Sequence, residues 1–473
     1  MYDVTIIGCG VIGAAAAYML ARYDCKAAIV EAENDPAMGT TRANSGILHA
    51  GYDPEPGTVM ARMNVRGHEL ALEICEKLDV EHDICGGFVL AFSEAEMDHV
   101  RMLYERGVAN GVKDLRVIDG EEARRLEPNL SSEVVGALYC VHTGVINPWE
   151  YTLAMAETAV RNGTEFIRST KVTGITREED HWLLTTTRGE IRSRFVVNAA
   201  GLGAEELHNL VAAPVFRTTP NRGEYYLLDR SEKATVSRVI FQCPSAAGKG
   251  VLVSPTVHGN IIVGPNAVPV EPDNNATTAE GLAYVAATAK KSVPGVNLRA
   301  NIRNFAGVRA NTDYGDFIIA ESAPGFIDLC GMKSPGLSSA PAVGEECVKL
   351  LRKAGLDAPL RGNFIDSRKR VRFAKLSPAE KAELVAREPA YGRVICRCET
   401  VTEGEILDAL REPIVPLSLD AVKRRCGTGM GRCQGGFCGP RIVEIMAREL
   451  GVDPTEILKD RDGSEILVGM VGE

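Results

Sequence analysis

Apolar residues come in two short continuous blocks near the start of the chain, at 3–7 and 26–30, the pattern of strands buried on both faces. Between them, residues 11–22 are apolar on nearly every side and rich in alanine, which predicts a buried helix. Gly8, Gly10 and Gly13 stand at the junction of first strand and helix as G-x-G-x-x-G, and the second strand ends at Glu31. The pattern predicts a βαβ unit with a glycine turn opening its helix. Residues 32–57 lose periodicity and are crowded with Gly, Ser, Thr, Asn and Pro, so they predict a long loop. Loops of that length inside a compact domain are usually functional or disordered, and the apolar pair Ile47 and Leu48 argues against disorder.

Helical periods return at 58–80, 93–110, 148–162 and 279–292, with a strand at 85–91. KVTGI, HWLLTTT and RSRFVVNAAGLGAEEL predict a short meander feeding a second strand-to-glycine turn. Between 222 and 270, β-branched and aromatic runs alternate with Gly and Pro, the pattern of an antiparallel sheet in a second domain. A hairpin follows at 316–330, then the stretch GMKSPGLSS and a helix at 341–353. Residues 354–394 read as a linker with one helix near 378–386. Their basic run, Arg368, Lys369, Arg370 and Arg372, either lies solvated or pins the linker to an acidic body.

Length adds a prior of about three domains for the 473 residues. Hydrophobic content of 45%, charged content of 25% and a net charge of −10 fit a soluble protein and argue against nucleic-acid partners. No apolar run approaches the roughly 18 residues of a membrane span, and no basic-then-apolar leader opens the chain, so the expectation is a cytoplasmic location. The 13 cysteines are odd in number and follow no export signal, which disfavours a disulfide framework. Five of them crowd into residues 396–438.

The first unit has the chemistry of a dinucleotide site. Gly8 permits the tight turn, Gly10 the approach of a pyrophosphate, and Gly13 close packing of helix on strand. The helix N-terminus offers free N–H groups to phosphate. Glu31 can accept hydrogen bonds from both hydroxyls of an adenine ribose and would repel a 2′-phosphate. In the cysteine-rich segment, Cys396 and Cys398 are followed after 34 residues by Cys433 and after four more by Cys438. Two close thiolate pairs suit either a four-cysteine zinc site or a [2Fe–2S] cluster, although C-x-C is a poor zinc knuckle.

Read together, GTTRANSGILHAG (39–51), NAAGLG (198–203) and GMKSPGLSSAPAVG (331–344) resemble the flavin-binding segments of the D-amino-acid oxidase superfamily. With RGEYYLL and SPTVHGNIIVGPNA, residues 1–355 are similar to its FAD-dependent glycerol-3-phosphate dehydrogenases and L-2-hydroxyglutarate oxidases. ICRCETVTEGEI and KRRCGTGMGRCQGGFC resemble the bacterioferritin-associated-ferredoxin-like [2Fe–2S] domain. The resemblance implies a fold: an α/β FAD-binding Rossmann-type domain (1–80, 145–215, 300–355) carrying an inserted antiparallel β-sheet substrate domain (81–144, 216–299). A linker (356–394) and a small α-helical iron–sulfur domain (395–473) would follow.

The resemblance also implies the cofactors, FAD and one [2Fe–2S] cluster. Gly8, Gly10, Gly13 and Glu31 would hold the ADP half, Thr40 and Thr41 the phosphates and ribityl chain, and Ser45, Gly46, Ile47 and Leu48 the isoalloxazine. Val172 would serve the adenine, Ala200 and Gly201 the pyrophosphate, and Gly336, Leu337 and Ser338 the pyrimidine edge. Cys396, Cys398, Cys433 and Cys438 would hold the cluster, with Cys426 a bystander. His49 suits the base of an alcohol oxidation, or only hydrogen-bonds flavin or backbone. His258 is a second candidate, or an exposed turn residue. Arg309 suits a clamp for an anionic substrate, or a surface ion pair.

The implied activity is a dehydrogenase for a small anionic hydroxy compound, sn-glycerol 3-phosphate first and L-2-hydroxyglutarate second, with amine oxidation third. The rival of another class is a redox sensor or electron carrier. Expected partners are the small anionic substrate and an electron-acceptor protein or second flavoprotein subunit, with peripheral membrane contact compatible. Cys426→Ser should keep the iron stoichiometry of anaerobically purified protein and its reduced-state paramagnetic signal, while Cys433→Ser should lose both. Zinc in place of iron would contradict the reading.

Overall fold

The computed structural model describes residues 1–244 and 250–469; the last four positions of the expected cluster domain lie outside the described residues. The opening βαβ unit forms as its pattern predicts: strand Tyr2–Ile7, helix Val11–Leu20, strand Ala27–Val30. These strands lie parallel, Val4 against Ala27 and Ile7 against Val30. On the other side of Tyr2–Ile7 runs Gly189–Asn198, also parallel, with Ile7 opposite Asn198. Phe326–Cys330 and Glu165–Ile167 extend this parallel core at its two edges. Both glycine turns therefore emerge from the carboxyl ends of neighbouring parallel strands, where the sheet's connections diverge and a crevice opens. Helices Val11–Leu20, Pro148–Arg161, Val59–Lys77 and Gly336–Lys353 cover the sheet and share one apolar core. Gly67 allows the closest crossing, since a Cβ there would lie 2.4 Å from the Ser338 carbonyl. The last of these helices begins at Gly336 rather than 341, because GLSSA supplies a first turn ahead of Pro341.

Among the described residues the second sheet has nine strands. Asn221–Leu228 pairs antiparallel with both Ile261–Gly264 and Asn301–Arg309. Strand Asn301–Arg309 thus lies in the second sheet, whereas the sequence reading grouped residues 300–355 with the flavin-binding part. Val239–Gln242 joins Gly87–Ala91, and Gly136–Cys140 and Leu115–Asp119 complete the sheet. The last two strands come from a stretch that the hydropathy pattern left unassigned. Ile47–Leu48, Gly144–Ile146 and His82–Asp83 form a small third sheet that holds the long loop.

Helices Glu403–Leu410, Leu419–Cys426 and Gly439–Leu450 pack around Ile406, Val422, Ile442 and Met446. This C-terminal unit does not hang on a loose tether. Arg424 and Arg425, on helix Leu419–Cys426, are both buried against the first domain. Arg425 bonds Asp35 at 3.0 Å and Glu157 at 3.1 Å, and Arg424 bonds Asp35 at 2.8 Å. The basic run of the expected linker is likewise engaged, apart from exposed Lys369. Arg368 is buried beside Glu157, and Arg370 and Arg372 bond Glu150 at 2.9 and 2.8 Å. Of the two readings of that run, the pinned one holds, and it reaches carboxylates of helix Pro148–Arg161.

Burial opposes ionisation of Asp35, but Arg425 and Arg424 outweigh it and hold the carboxyl below its usual range. Burial likewise opposes Glu150, which Arg370, Arg372 and Arg368 bring down to about 2. Carboxylates with depressed values stabilise the fold above their unfolded pKa of about 4 and lose that contribution as pH falls through the folded value. The hold of Arg370 and Arg372 on Glu150 should therefore persist to about pH 4 and fail between there and about pH 2, followed by limited proteolysis after residue 353. At neutral pH, Asp35→Asn should destabilise the chain by about 3–5 kcal/mol, because two buried guanidinium groups lose their shared partner. An unchanged melting temperature would contradict the seam.

Candidate functional site

The crevice at the two glycine turns opens into a cavity of about 910 Å³. Its floor is the first turn. Gly8 has φ +97°, and a Cβ there would meet the Ala199 carbonyl at 2.6 Å, so the two turns touch only because Gly8 has no side chain. Gly13 lies behind the turn, where a Cβ would fall 1.9 Å from the Gly8 carbonyl, so its role is close packing. Below the second turn, Asn198 donates to Asp328 at 2.8 Å, and Asp328 pairs with buried His208 at 2.7 Å. Glu31 accepts from the N–H groups of Cys9 (2.6 Å) and Glu33 (2.9 Å). Burial pushes its carboxyl up to about 7 despite those bonds. Further donors, such as ribose hydroxyls, would favour its ionised form.

The long loop is held from several sides. Thr41 accepts from the Val11 N–H at 3.0 Å, and Thr40 donates to the Val308 carbonyl at 2.8 Å. Gly307 allows that approach, since a Cβ there would lie 2.0 Å from the Ala43 carbonyl. Ser45 Oγ is 3.4 Å from the Tyr225 hydroxyl. Gly46 takes φ +65° with Ile146 close behind it. Ser338 Oγ accepts from the His49 N–H at 2.7 Å and donates to the Ile47 carbonyl at 3.3 Å. Helix Gly336–Lys353 thus starts against the loop, with Gly336 and Leu337 on the cavity wall.

Gly8, Gly10, Glu31, Thr40, Thr41, Ser45, Gly46, Ile47, Val172, Ala200 and Gly201 also line this cavity. Gly13, Leu48 and Ser338 support it from behind. A glycine floor, an acid placed for a ribose, a helix N-terminus and this volume fit FAD. His49 and Arg309 face the same cavity. His49 Nε2 is 3.3 Å from Ser334 Oγ, its carbonyl accepts from Asn64 at 2.7 Å, and its ring lies 5.7 Å from that of Phe241. Arg309 donates to Asn221 Oδ1 at 2.8 Å and to the Asn266 carbonyl at 3.3 Å. No carboxylate among the described residues forms an ion pair with Arg309. Gly223 makes room for it, since a Cβ there would be 2.5 Å from its guanidinium. Asn221, at the start of strand Asn221–Leu228, and Asn266, in the loop after Ile261–Gly264, orient Arg309 from positions far apart in sequence, so no local pattern joins them.

His258 does not join this pair. The turn carrying it leans away from the cavity toward the start of helix Pro148–Arg161. There Asn147 Nδ2 lies 3.1 Å from its Nε2, and Glu81 is 3.5 Å from its Nδ1. Burial pushes the imidazole below its usual value, opposed by Glu81 and Glu150.

In the C-terminal unit, Cys396 ends strand Val394–Cys396, and Cys438 caps helix Gly439–Leu450. Cys398 and Cys433 lie 3.7 Å apart, sulfur to sulfur, at the surface, whereas Cys396 and Cys438 are buried. Gly431 lets the loop close over the first pair, since a Cβ there would lie 2.3 Å from Cys398 Cβ. Among the described residues no three His, Cys, Asp or Glu side chains converge as a single-ion site requires. Two thiolate pairs suit a binuclear cluster with two ligands per iron. Cys426 turns its thiol to the Val422 carbonyl of its own helix at 3.4 Å, and burial pushes it up to about 11. The cluster loop rests on the second sheet, where Arg303 donates to Gln434 at 3.2 Å.

Comparison with known proteins agrees with both halves. The model of the DAO family, described as FAD dependent oxidoreductase, matches residues 3–350, and that of the BFD-like [2Fe-2S] binding domain matches residues 394–448. A glycerol 3-phosphate dehydrogenase of Caloramator mitchellensis is 46% identical over 99% of this chain and 98% of its own length. A glycerol 3-phosphate oxidase of Mycoplasma pneumoniae is 35% identical over 74% of this chain and 94% of its own. An L-2-hydroxyglutarate dehydrogenase of Escherichia coli K12 is 32% identical over 57% of this chain and 64% of its own. The FAD-bound structure of L-alpha-glycerophosphate oxidase from Mycoplasma pneumoniae superposes with a TM-score of 0.74 at 32% identity, covering 78% of this chain and 99% of that one. The chain belongs to the DAO family of FAD-dependent oxidoreductases and carries a BFD-like [2Fe–2S] domain at its C-terminal end.

Proposed function

We propose that the chain is a glycerol-3-phosphate dehydrogenase that oxidises sn-glycerol 3-phosphate to dihydroxyacetone phosphate and passes electrons out through its cluster. The observation that carries this reading is Arg309, a guanidinium facing the flavin cavity without a carboxylate partner among the described residues. A charge left uncompensated there demands an anionic ligand. The full-length similarity to a glycerol 3-phosphate dehydrogenase, cluster domain included, supports phosphate as that anion. The second reading, L-2-hydroxyglutarate, satisfies Arg309 equally, but relatives of that name match little more than half of this chain. A sensor without a substrate would not need His49 and Arg309 to converge.

When bound, FAD supplies a two-electron acceptor for the substrate hydride, and the cluster a one-electron outlet. The chain's own residues do the rest. Arg309, held by Asn221 and Asn266, would fix the phosphate. His49 would take the hydroxyl proton at Nε2, with its backbone fixed by Ser338 and Asn64 so that the ring stays in register. Phe241 and Leu252 line the same cavity and exclude water around the reacting carbon. The N-terminus of helix Gly336–Lys353 would stabilise negative charge gathering on the cofactor side.

No helix among the described residues is long and apolar enough to cross a membrane. We place the enzyme in the cytoplasm, handing electrons to an acceptor protein or second flavoprotein subunit that docks at exposed Cys398 and Cys433. Arg309→Leu should lower kcat/KM for glycerol 3-phosphate about 100-fold or more, chiefly through KM. His49→Gln should lower kcat about 10²–10⁴-fold with KM little changed. FAD content should stay unchanged in both variants. Normal turnover of glycerol 3-phosphate by either would refute its assignment.

A further inference from the structure

A second cavity, of about 550 Å³, lies on the far side of the flavin loop. Its volume is that of a small-molecule site. Three bodies wall it: loop residues 39–46, the second sheet through Leu227, Ile262 and Phe305, and the C-terminal unit through Lys423, Met430 and Gln434. Phe305 stacks on Tyr225 with ring centroids 4.7 Å apart and planes 7° from parallel. Tyr225 in turn lines the flavin cavity, so this stacked pair is part of the partition between the two cavities. Trp149 completes the apolar wall, its indole N–H fixed by the Arg42 carbonyl at 2.8 Å.

The polar wall is cationic, in a chain of net charge −10. Arg42 pairs with Asp460 at 2.7 Å, and Arg424 with Asp460 at 3.1 Å and Asp35 at 2.8 Å. Arg461 faces Glu33 at 3.7 Å, and Asp273 is exposed. Arg303 and Lys423 remain. Arg303 meets the neutral Gln434, and no carboxylate among the described residues forms an ion pair with it. Lys423 stands 3.8 Å from Asp420, which also bonds Lys459. Burial pushes the Lys423 ammonium down to about 8, opposed by Asp420 and reinforced by Arg303. Two cations thus line one partly aromatic cavity, where the single carboxylate beside Lys423, Asp420, is shared with Lys459, an arrangement that an anion would relieve.

We propose that this second cavity binds a planar organic anion, with its charged oxygens held by Arg303 and Lys423 and its ring against Phe305, Ile262 and Trp149. The site is separate from substrate binding at Arg309. It lies between the flavin loop and the cluster loop, so its occupant would sit where the two redox halves meet.

The test is equilibrium titration of the FAD- and cluster-loaded full chain with 2-naphthyl phosphate, 2-naphthoate and neutral 2-naphthol. One saturable site should appear for the charged probes, at least about ten-fold tighter than for 2-naphthol. The stronger of the two charged probes separates phosphate from carboxylate as the natural group. Arg303→Gln and Lys423→Met should each weaken charged-probe binding by about ten-fold or more, while FAD content and KM for glycerol 3-phosphate stay unchanged. Should either charge variant fail to fold, Ile262→Phe, which only fills the cavity, should abolish binding. Undiminished affinity in the variants that fold, or displacement of the probe by glycerol 3-phosphate, would overturn the site.

Discussion

Everything that makes this chain one electron-transfer unit depends on a buried ionic seam. Arg425 reaches Asp35 in the loop after the second strand and Glu157 on helix Pro148–Arg161. Arg424 shares Asp35, and Arg368 lies beside Glu157 from the linker that leads into the unit. Buried ion pairs contribute little net stability against an apolar replacement, but they penalise any arrangement that leaves one member alone. The seam therefore acts as a position lock. It sets the cluster loop on the second sheet, with Gln434 against Arg303, and so fixes where the cluster stands relative to the flavin cavity. Cutting the chain before the C-terminal unit would take Arg424 and Arg425 away from Asp35 and leave Glu157 with Arg368 alone, so a truncation measures the seam as much as the cluster.

The second constraint is the long loop at 39–51. It has almost no regular structure of its own, yet every wall of the cavity holds some part of it. Thr40 ties it to Val308, Thr41 to Val11, Ser45 to Tyr225, and Ser338 grips both Ile47 and His49. The loop carries the proposed base and borders both cavities. Its rigidity is borrowed from the sheet and helices around it, which places His49 without side-chain packing on a helix.

Local chemistry was legible in the sequence and long-range pairing was not. The glycine turn, Glu31, the loop segment and the two cysteine pairs each lie within a short span, where spacing carries the geometry. His49 and Arg309 could be singled out for their chemistry, and the structure brings them to one cavity. His258 was equally plausible by residue type, but its turn faces Asn147 and Glu81 instead, and no local pattern encodes which way a hairpin leans. Arg424 and Arg425 carried no local signal of burial because their partners, Asp35 and Glu157, lie far away in sequence. The strand Asn301–Arg309 escaped the second sheet for the same reason: its partner Asn221–Leu228 is distant, and alternation alone does not name a partner.

The central claim is that substrate oxidation and cluster reduction are connected within one chain. It is tested most directly by adding sn-glycerol 3-phosphate to the anaerobic, fully loaded protein without an external acceptor, freezing samples over time, and recording flavin absorbance beside the paramagnetic signal of the cluster. Loss of the oxidised-flavin absorbance together with growth of a reduced [2Fe–2S] signal is the predicted result. A flavin that bleaches fully while the cluster stays oxidised would contradict the account.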